Sequence, residues 1–177
     1  MPSLVVEPSS YRAIESLRDG RRLTVRSFQA ADGDALAAAV KRTSAETLYR
    51  RFFAVKRHFS QRETDFFLNV DFVDHVALVA EVDEADRPTV IGAGRYVVVT
   101  PGGAEVAFMV IDAYQGQGIG KQLLRHLAVI AREAGLREFV AEVLPENGSM
   151  LKVFERSGLR ISTTRDAEVV HVTLALN

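Results

Sequence analysis

Apolar positions along this chain repeat with two different periods. Three apolar runs, His75–Val82, Thr89–Val99 and Ala104–Ile111, are each short enough to read as buried strands. Asp83 to Pro88 and Pro101-Gly-Gly103 separate them with turn-forming residues. Turns this short join antiparallel neighbours. The period then becomes helical. Ile119, Leu123, Leu127, Ile130 and Ala134 recur on one face, which Leu124, Ala128 and Ala131 widen. Gly135 is placed to end that helix in a left-handed cap. Glu138–Val143 returns as a strand. Its entry from the helix predicts a right-handed crossover, parallel to the strand before.

The flanks carry weaker patterns. Residues 1–21 read as an N-terminal extension, with a first hairpin strand near Ile14–Leu17 joined through Asp19-Gly20 to Leu23–Phe28 as its structured part. Leu23 and Val25 are inward candidates, Thr24 and Arg26 outward ones. Asp32 or Asp34 can cap a helix bearing Leu36 and Val40, and Ser44 can cap another bearing Leu48, Phe52 and Phe53. Ser60-Gln-Arg-Glu63 is a capping box before Phe66, Phe67 and Leu68. Phe52, Phe53, Phe66 and Phe67 read as core. Arg50, Arg51, Lys56, Arg57 and Arg62 read as a solvated face. After Glu138–Val143, Asn147 to Ser157 predicts a short helix with Met150 and Phe154 at i, i+4, stopped by Gly158. Ile161–Thr163 and an alternating Val169–Leu176 close the chain as strands, the latter free to pair within the chain or across a dimer.

Composition narrows the classes. The 177 residues suit one domain with a sizeable core, 47% hydrophobic and 25% charged. Lys+Arg is 22 against 23 Asp+Glu, a net charge of −1, which does not support nucleic acid as the main partner. No apolar run is long enough to span a membrane. Met1 to Glu7 lacks the charged and apolar regions of a secretory leader, so a cytoplasmic protein is expected. With no cysteine, disulfides, zinc–thiolate sites and a cysteine nucleophile are excluded. The four His make no metal-ligand spacing, so no metal is expected.

The candidate chemistry lies between the last apolar run and the long helix. Gln115, Gly116, Gln117, Gly118 and Gly120 form a loop with little side-chain bulk. Glycines let backbone approach a ligand closely, and the first amides of a helix point outward without internal partners. Such a junction holds an anion, with Lys121 available to add charge. A Walker A loop would need Gly at Gln115 and Ser or Thr at Gln122. The dinucleotide fingerprint, counted from Gly116, would need Gly at Lys121. What fits is Gln115-Gly-Gln-Gly118-Ile-Gly120, which resembles the acetyl-CoA loop of the GNAT acetyltransferases, Gln/Arg-x-x-Gly-x-Gly/Ala. The resemblance extends over roughly residues 22–175, and residues 22–177 are expected to form one acetyltransferase domain. It is nearest to the GNAT domain of bacterial Pat-type protein lysine acetyltransferases, on Ser44–Phe53, His75–Ala80, Gly92–Tyr96, Ala104-Glu105, the Gly loop and Leu144–Leu151.

That resemblance implies an α/β (α+β) fold: a mixed, mostly antiparallel twisted sheet of six to seven strands with helices on both faces. It implies acetyl-CoA as co-substrate, held by the loop residues Gln115, Gly116, Gln117, Gly118, Ile119, Gly120 and Lys121. Phe108, Met109 and Val110 would hold the pantetheine arm where the sheet splays, and Asn147 would bond the CoA arm. The region of the capped helices would line the acceptor side.

Acetyl transfer to an amine needs a base, since a lysine ammonium with a pKa of about 10.4 is almost wholly protonated at pH 7. The resemblance assigns that role to Glu105, whose plain alternative is an exposed Glu at a strand end. Glu81 and Glu142 are lesser candidates. Many GNATs carry a Tyr seven residues after the Asn, able to protonate the leaving thiolate. Here that position is Phe154, and Leu159 follows Gly158, so the general acid is unassigned. The implied acceptor is a protein lysine, on a partner such as an acyl-CoA synthetase. Pat-type enzymes often carry a further domain, for which these residues leave no room, and this weighs toward a small amine instead. A non-catalytic acyl-CoA sensor is the third reading, motivated by Phe154.

Overall fold

The computed structural model describes residues 6–53 and 59–177. Lys56 and Arg57, and most of the stretch inspected for a leader, lie outside them. The strands are β1 (Arg12–Ser16), β2 (Arg22–Ser27), β3 (His75–Glu84), β4 (Arg87–Thr100), β5 (Gly103–Val110), β6 (Glu138–Val143), β7 (Arg160–Arg165) and β8 (Val170–Ala175). The helices are α1 (Gly33–Lys41), α2 (Ala45–Phe52), α3 (Gln61–Leu68), α4 (Ile119–Glu133) and α5 (Gly148–Glu155).

One sheet runs β1-β2-β3-β4-β5-β6-β8-β7. All neighbours are antiparallel except β5 and β6, which are parallel across the α4 crossover. The strand count is eight rather than six to seven. The additional weight comes from β1 and β7, edge strands whose side chains are mostly exposed and carry little apolar pattern. β8 lies inside the sheet between β6 and β7, so its two edges are both used within the chain. The β3–β4 turn is also tighter than the sequence suggests. Both strands run on until only Ala85 and Asp86 remain, each at positive φ (49° and 62°), as a two-residue hairpin loop requires.

Register sorts the sheet into two faces. Gly94 opposes Phe108, and a Cβ on Gly94 would stand 2.8 Å from the Phe108 ring and 3.3 Å from Leu127. That glycine lets the Phe108 ring lie across β4 beneath α4. Phe154 of α5 packs on Phe108 from the same side, with ring centroids 6.3 Å apart. The opposite face carries His75 and Glu105, both opposed to Val97, with Arg95 two residues along β4, and α2 and α3 cover it: the Arg95 guanidinium lies 4.7 Å from the Phe67 ring centroid. Eight of the fifteen α4 residues are buried, including Leu123, Leu127 and Ile130, which accounts for its helical period.

The expectation of a phenylalanine core at α2 and α3 is only half met. Phe52 and Phe67 are half-buried, whereas Phe53 is 38% and Phe66 47% exposed. Phe52, Phe59, Phe66 and Phe67 form edge-to-face pairs with centroids 5.2–5.8 Å apart. This is a satellite cluster over the sheet. Helices of eight residues have too little length to cover it. Asp32 does precede α1, but its side chain does not cap it. The carboxylate takes Arg26 Nη1 and Nη2 at 2.8 and 2.7 Å and the Gln29 backbone N–H at 2.7 Å. Ser44 and the Ser60–Glu63 box cap their helices as expected.

Candidate functional site

β5 and β6 are partners over only three rungs, Gly103↔Glu138, Ala104↔Phe139 and Glu105↔Val140. From Val106 onward the two strands separate, and β6 continues with β8 alone. The β6-facing edge of β5 is therefore left without a strand partner, and its backbone groups are available to a ligand. A cleft of about 350 Å³ opens in the gap. It is walled by Ala107 and Met109 on one side and by Ala141 and Val143 on the other, and it runs to the start of α4.

At that end the chain passes from β5 through a single 3-10 turn, Asp112–Tyr114, into the Gly loop. Gly116 and Gly118 have φ of +80° and +85°. A side chain there would be strained even though an added Cβ meets nothing within 4 Å at Gly116 and only Arg18 Nε, at 3.9 Å, at Gly118. Gly118 is the N-cap residue of α4, and no side chain caps the helix. The first intrahelical bond from an amide in this turn is Gln122 N–H to Gly118 O, so the N–H groups of Ile119, Gly120 and Lys121 are left for a ligand. Such a cradle suits a pyrophosphate, held by backbone amides at the positive end of the helix dipole.

Every cofactor candidate taken from the sequence lines this cleft except Gln117. The Gln117 Oε1 is instead buried with no hydrogen-bond partner among the described residues. Gln115 is a structural clasp as well as a wall. Its Nε2 donates to Val110 O at 3.0 Å and to Thr47 Oγ1 at 3.2 Å, tying the loop to β5 and α2. Asp112 reinforces the tie by accepting from Ser44 N at 2.9 Å and Thr47 Oγ1 at 3.3 Å. Burial opposes ionisation of Asp112, but these donors hold its carboxyl below the usual range. Asn147 is 9% exposed and caps α5, its Oδ1 accepting from Met150 N at 3.3 Å. Its amide stands in the cleft wall. Phe154, buried behind it, offers only carbon.

Glu105 sits on the last shared rung, where the strands part, and is exposed toward the cleft. Of the lesser carboxylates, Glu142 also lines the cleft, 3.5 Å from His171 Nδ1. Glu81 is held by Arg26 Nε at 2.8 Å and Nη2 at 3.0 Å and does not line it.

Arg18, Arg50, Arg51 and Arg156 line the cleft, Arg50 and Arg51 against the expectation of a solvated face, and two of the four bear most closely on the site. Arg51, expected on a solvated face, is half-buried, lines the cleft and lies within the field of Glu105. Desolvation brings its pKa down to about 10. Arg18 reaches across from the β1–β2 turn and donates from Nη1 to Gly116 O at 3.0 Å. Neither has a local signal, because each is placed by an element far away in sequence. Among the described residues, no group of three or more His, Asp or Glu is arranged to hold a metal ion. No helix among them is long and apolar enough to cross a membrane.

The cleft and loop agree with comparisons to known proteins. Residues 42–159 match the acetyltransferase (GNAT) family model. Acetyltransferase Pat of Mycolicibacterium smegmatis is 39% identical over 117 residues, 65% of this chain and 34% of that protein, so this chain spans about a third of its length. Acetyltransferase PA5475 of Pseudomonas aeruginosa is 30% identical over 138 residues, 77% of this chain and 74% of that one. The crystal structure of the GNAT domain of PAT from S. lividans superposes with a TM-score of 0.83 at 36% identity, covering 93% of this chain and 96% of that domain. A strand pair that parts beside a Gly-rich helix start, in a chain so matched over two thirds of its length, belongs to the acetyltransferase (GNAT) family, a family of N-acyltransferases.

Proposed function

We propose that this chain transfers an acetyl group from acetyl-CoA directly to the side-chain amine of a protein lysine, with Glu105 as the base. The observation that carries the proposal is the position of Glu105. It lies at the fork of β5 and β6, in the same cleft as the uncapped N-terminus of α4. A thioester whose pyrophosphate rests on the amides of Ile119, Gly120 and Lys121 runs down the unpaired edge of β5 toward that fork. Phe108, Met109 and Val110 flank its arm, and Asn147 faces it from α5.

The residues then have separable tasks. Glu105 takes a proton from the lysine ammonium, directly or through a water, leaving a lone pair for attack. Free N–H groups on the β5 edge stabilise the charge that develops on the carbonyl oxygen. The new C–N bond forms as the C–S bond breaks, the nitrogen and Glu105 each release a proton to solvent, and the thiolate takes one from solvent, since Phe154 has no proton to give. A thiol is acidic enough, with a pKa of about 8.5, to leave without a dedicated acid. The acceptor is a cytoplasmic protein, an acyl-CoA synthetase being the class that the likeness to Pat enzymes suggests.

One observation favours a second reading. Phe154 stands where the family often has Tyr, which suits an acyl-CoA sensor without turnover. The deciding experiment uses acetyl-labelled acetyl-CoA with a cytoplasmic extract and Glu105→Gln as control. Label entering protein with the wild type alone supports lysine transfer. Label in the acid-soluble amines moves the acceptor to a small molecule. Tight CoA binding with no transfer to either leaves the sensor.

A further inference from the structure

Beside Glu105 the cleft is lined by a positive charge that an approaching ammonium has to pass. Arg51 lines the cleft from α2, its guanidinium 4.6 Å from the Phe52 ring centroid. Among the described residues no side chain or carbonyl hydrogen-bonds it, and no carboxylate lies within ion-pair distance. Its neighbour Arg50 is different, being paired with Glu46 at 2.8 Å. On the sheet beneath, Arg95 is 7% exposed. Its Nη1 donates to His75 Nε2 at 2.9 Å and to Phe67 O at 3.4 Å, both neutral acceptors. Val97 opposes Glu105 across β4 and β5, so Arg95, two residues along, lies diagonal to Glu105 on the same face.

Arg51 and Arg95 are thus two desolvated cations that repel each other, with Glu105 the one carboxylate acting on Arg51. Burial and Arg51 together bring the Arg95 pKa down to about 9, and burial brings that of Arg51 down to about 10. A guanidinium offers five N–H donors in a planar fork, and Arg51 lines the cleft with no hydrogen-bond partner for them among the described residues. An acceptor ammonium approaching Glu105 meets this field and is opposed by it. A diamine brings a second positive charge and fares worse. An acceptor that carries an anion beside its amine satisfies both partners: ammonium to Glu105 and anion to Arg51.

Resting on the lysine-transfer reading above, we infer that Arg51 is a specificity residue that binds a carboxylate carried by the acceptor close to the reacting amine. In a protein that carboxylate is an Asp or Glu beside the target lysine. The same chemistry is present in the α-carboxylate of a free amino acid. Arg51 supplies a bidentate fork to it, and Arg95 adds charge from below without touching it.

The test uses two matched sets of acceptors. The first is one lysine peptide with Asp or Glu, Ala, or Lys on either side of the target. The second is free lysine against cadaverine, which differ only in the carboxylate. Wild type, Arg51→Ala and Arg51→Lys are compared by kcat/KM, with acetyl-CoA binding by calorimetry as the check on folding. The wild type should favour the carboxylate-bearing member by about tenfold or more, the worth of a charge-assisted pair. That preference should fall to about twofold or less in Arg51→Ala, with partial recovery in Arg51→Lys, which restores charge without the fork. A wild type indifferent to the carboxylate, or a preference that survives Arg51→Ala, overturns the inference while peptide transfer keeps the lysine reading. Arg51-dependent transfer to free lysine but to no peptide keeps the inference and overturns the protein acceptor. No transfer to any acceptor in either set overturns both.

Discussion

Glu105 and Val140 form the last rung that β5 and β6 share, so the carboxylate stands at the point where the parallel pair divides. Its backbone is fixed by β4 through the Val97 rung, while its side chain faces open cleft. Glu105→Gln keeps the shape and removes the carboxylate proposed as the base. Turnover should fall by about 10²- to 10⁴-fold, as when a general base is lost, while the dissociation constant for acetyl-CoA stays within about twofold. Calorimetry and steady-state kinetics on the same preparation check both. Unchanged turnover would remove Glu105 from the mechanism.

Gly118 isolates the backbone requirement of the cradle. It has φ +85°, and the nearest atom to an added Cβ is Arg18 Nε at 3.9 Å. Gly118→Ala therefore meets no steric barrier and is charged only the left-handed strain, about 1–2 kcal/mol. Acetyl-CoA affinity should drop by about ten- to thirtyfold if the loop flattens to relieve it. An unaltered affinity with an unaltered melting temperature would show that the loop tolerates a side chain.

His75 predicts a pH dependence of stability. Burial, with the Arg95 charge beside it, lowers its pKa to about 4, so it is neutral at pH 7 and accepts from Arg95. The folded pKa lies below the unfolded value of about 6.5. The folded state thus binds fewer protons in that interval, and stability is lost as pH falls from about 6.5 toward 4. Urea denaturation at pH 7, 6, 5 and 4 should show this decline. His75→Gln, which keeps an acceptor but cannot titrate, should show a shallower one.

Phe154→Tyr asks whether the leaving thiolate needs an acid. Phe154 is buried against Phe108 and lines the cleft. If solvent protonates the thiolate, adding the hydroxyl should change kcat by less than about tenfold, below the range of general acid catalysis. A larger rise would show that thiolate protonation limits the wild-type enzyme.

Much of the fold is legible in the sequence because its signals are local. β5 and α4 differ in hydrophobic period, the Gly loop stands between them, and the caps of α2 and α3 lie within three residues of the groups they satisfy. β1 and β7 are harder to read, since an edge strand buries too little to leave a pattern. Phe53 and Phe66 mislead for the opposite reason: an apolar side chain near a short helix need not find a core.

A strand that starts near Glu105 and leads through a Gly-rich loop into an amphipathic helix is written in the local order of residues. Propensity, periodicity and positive-φ glycines act over a few residues and survive in any fold that contains them. That β5 leaves β6 after Glu105, that Arg18 reaches Gly116 across 98 positions, and that Arg51 lines the cleft become visible with the folded chain alone. Those relationships arise from the packing of α2 against the sheet and the pairing of β1 at its edge. A residue's partner there is set by what the chain brings near it, and its own neighbours in sequence carry no record of that.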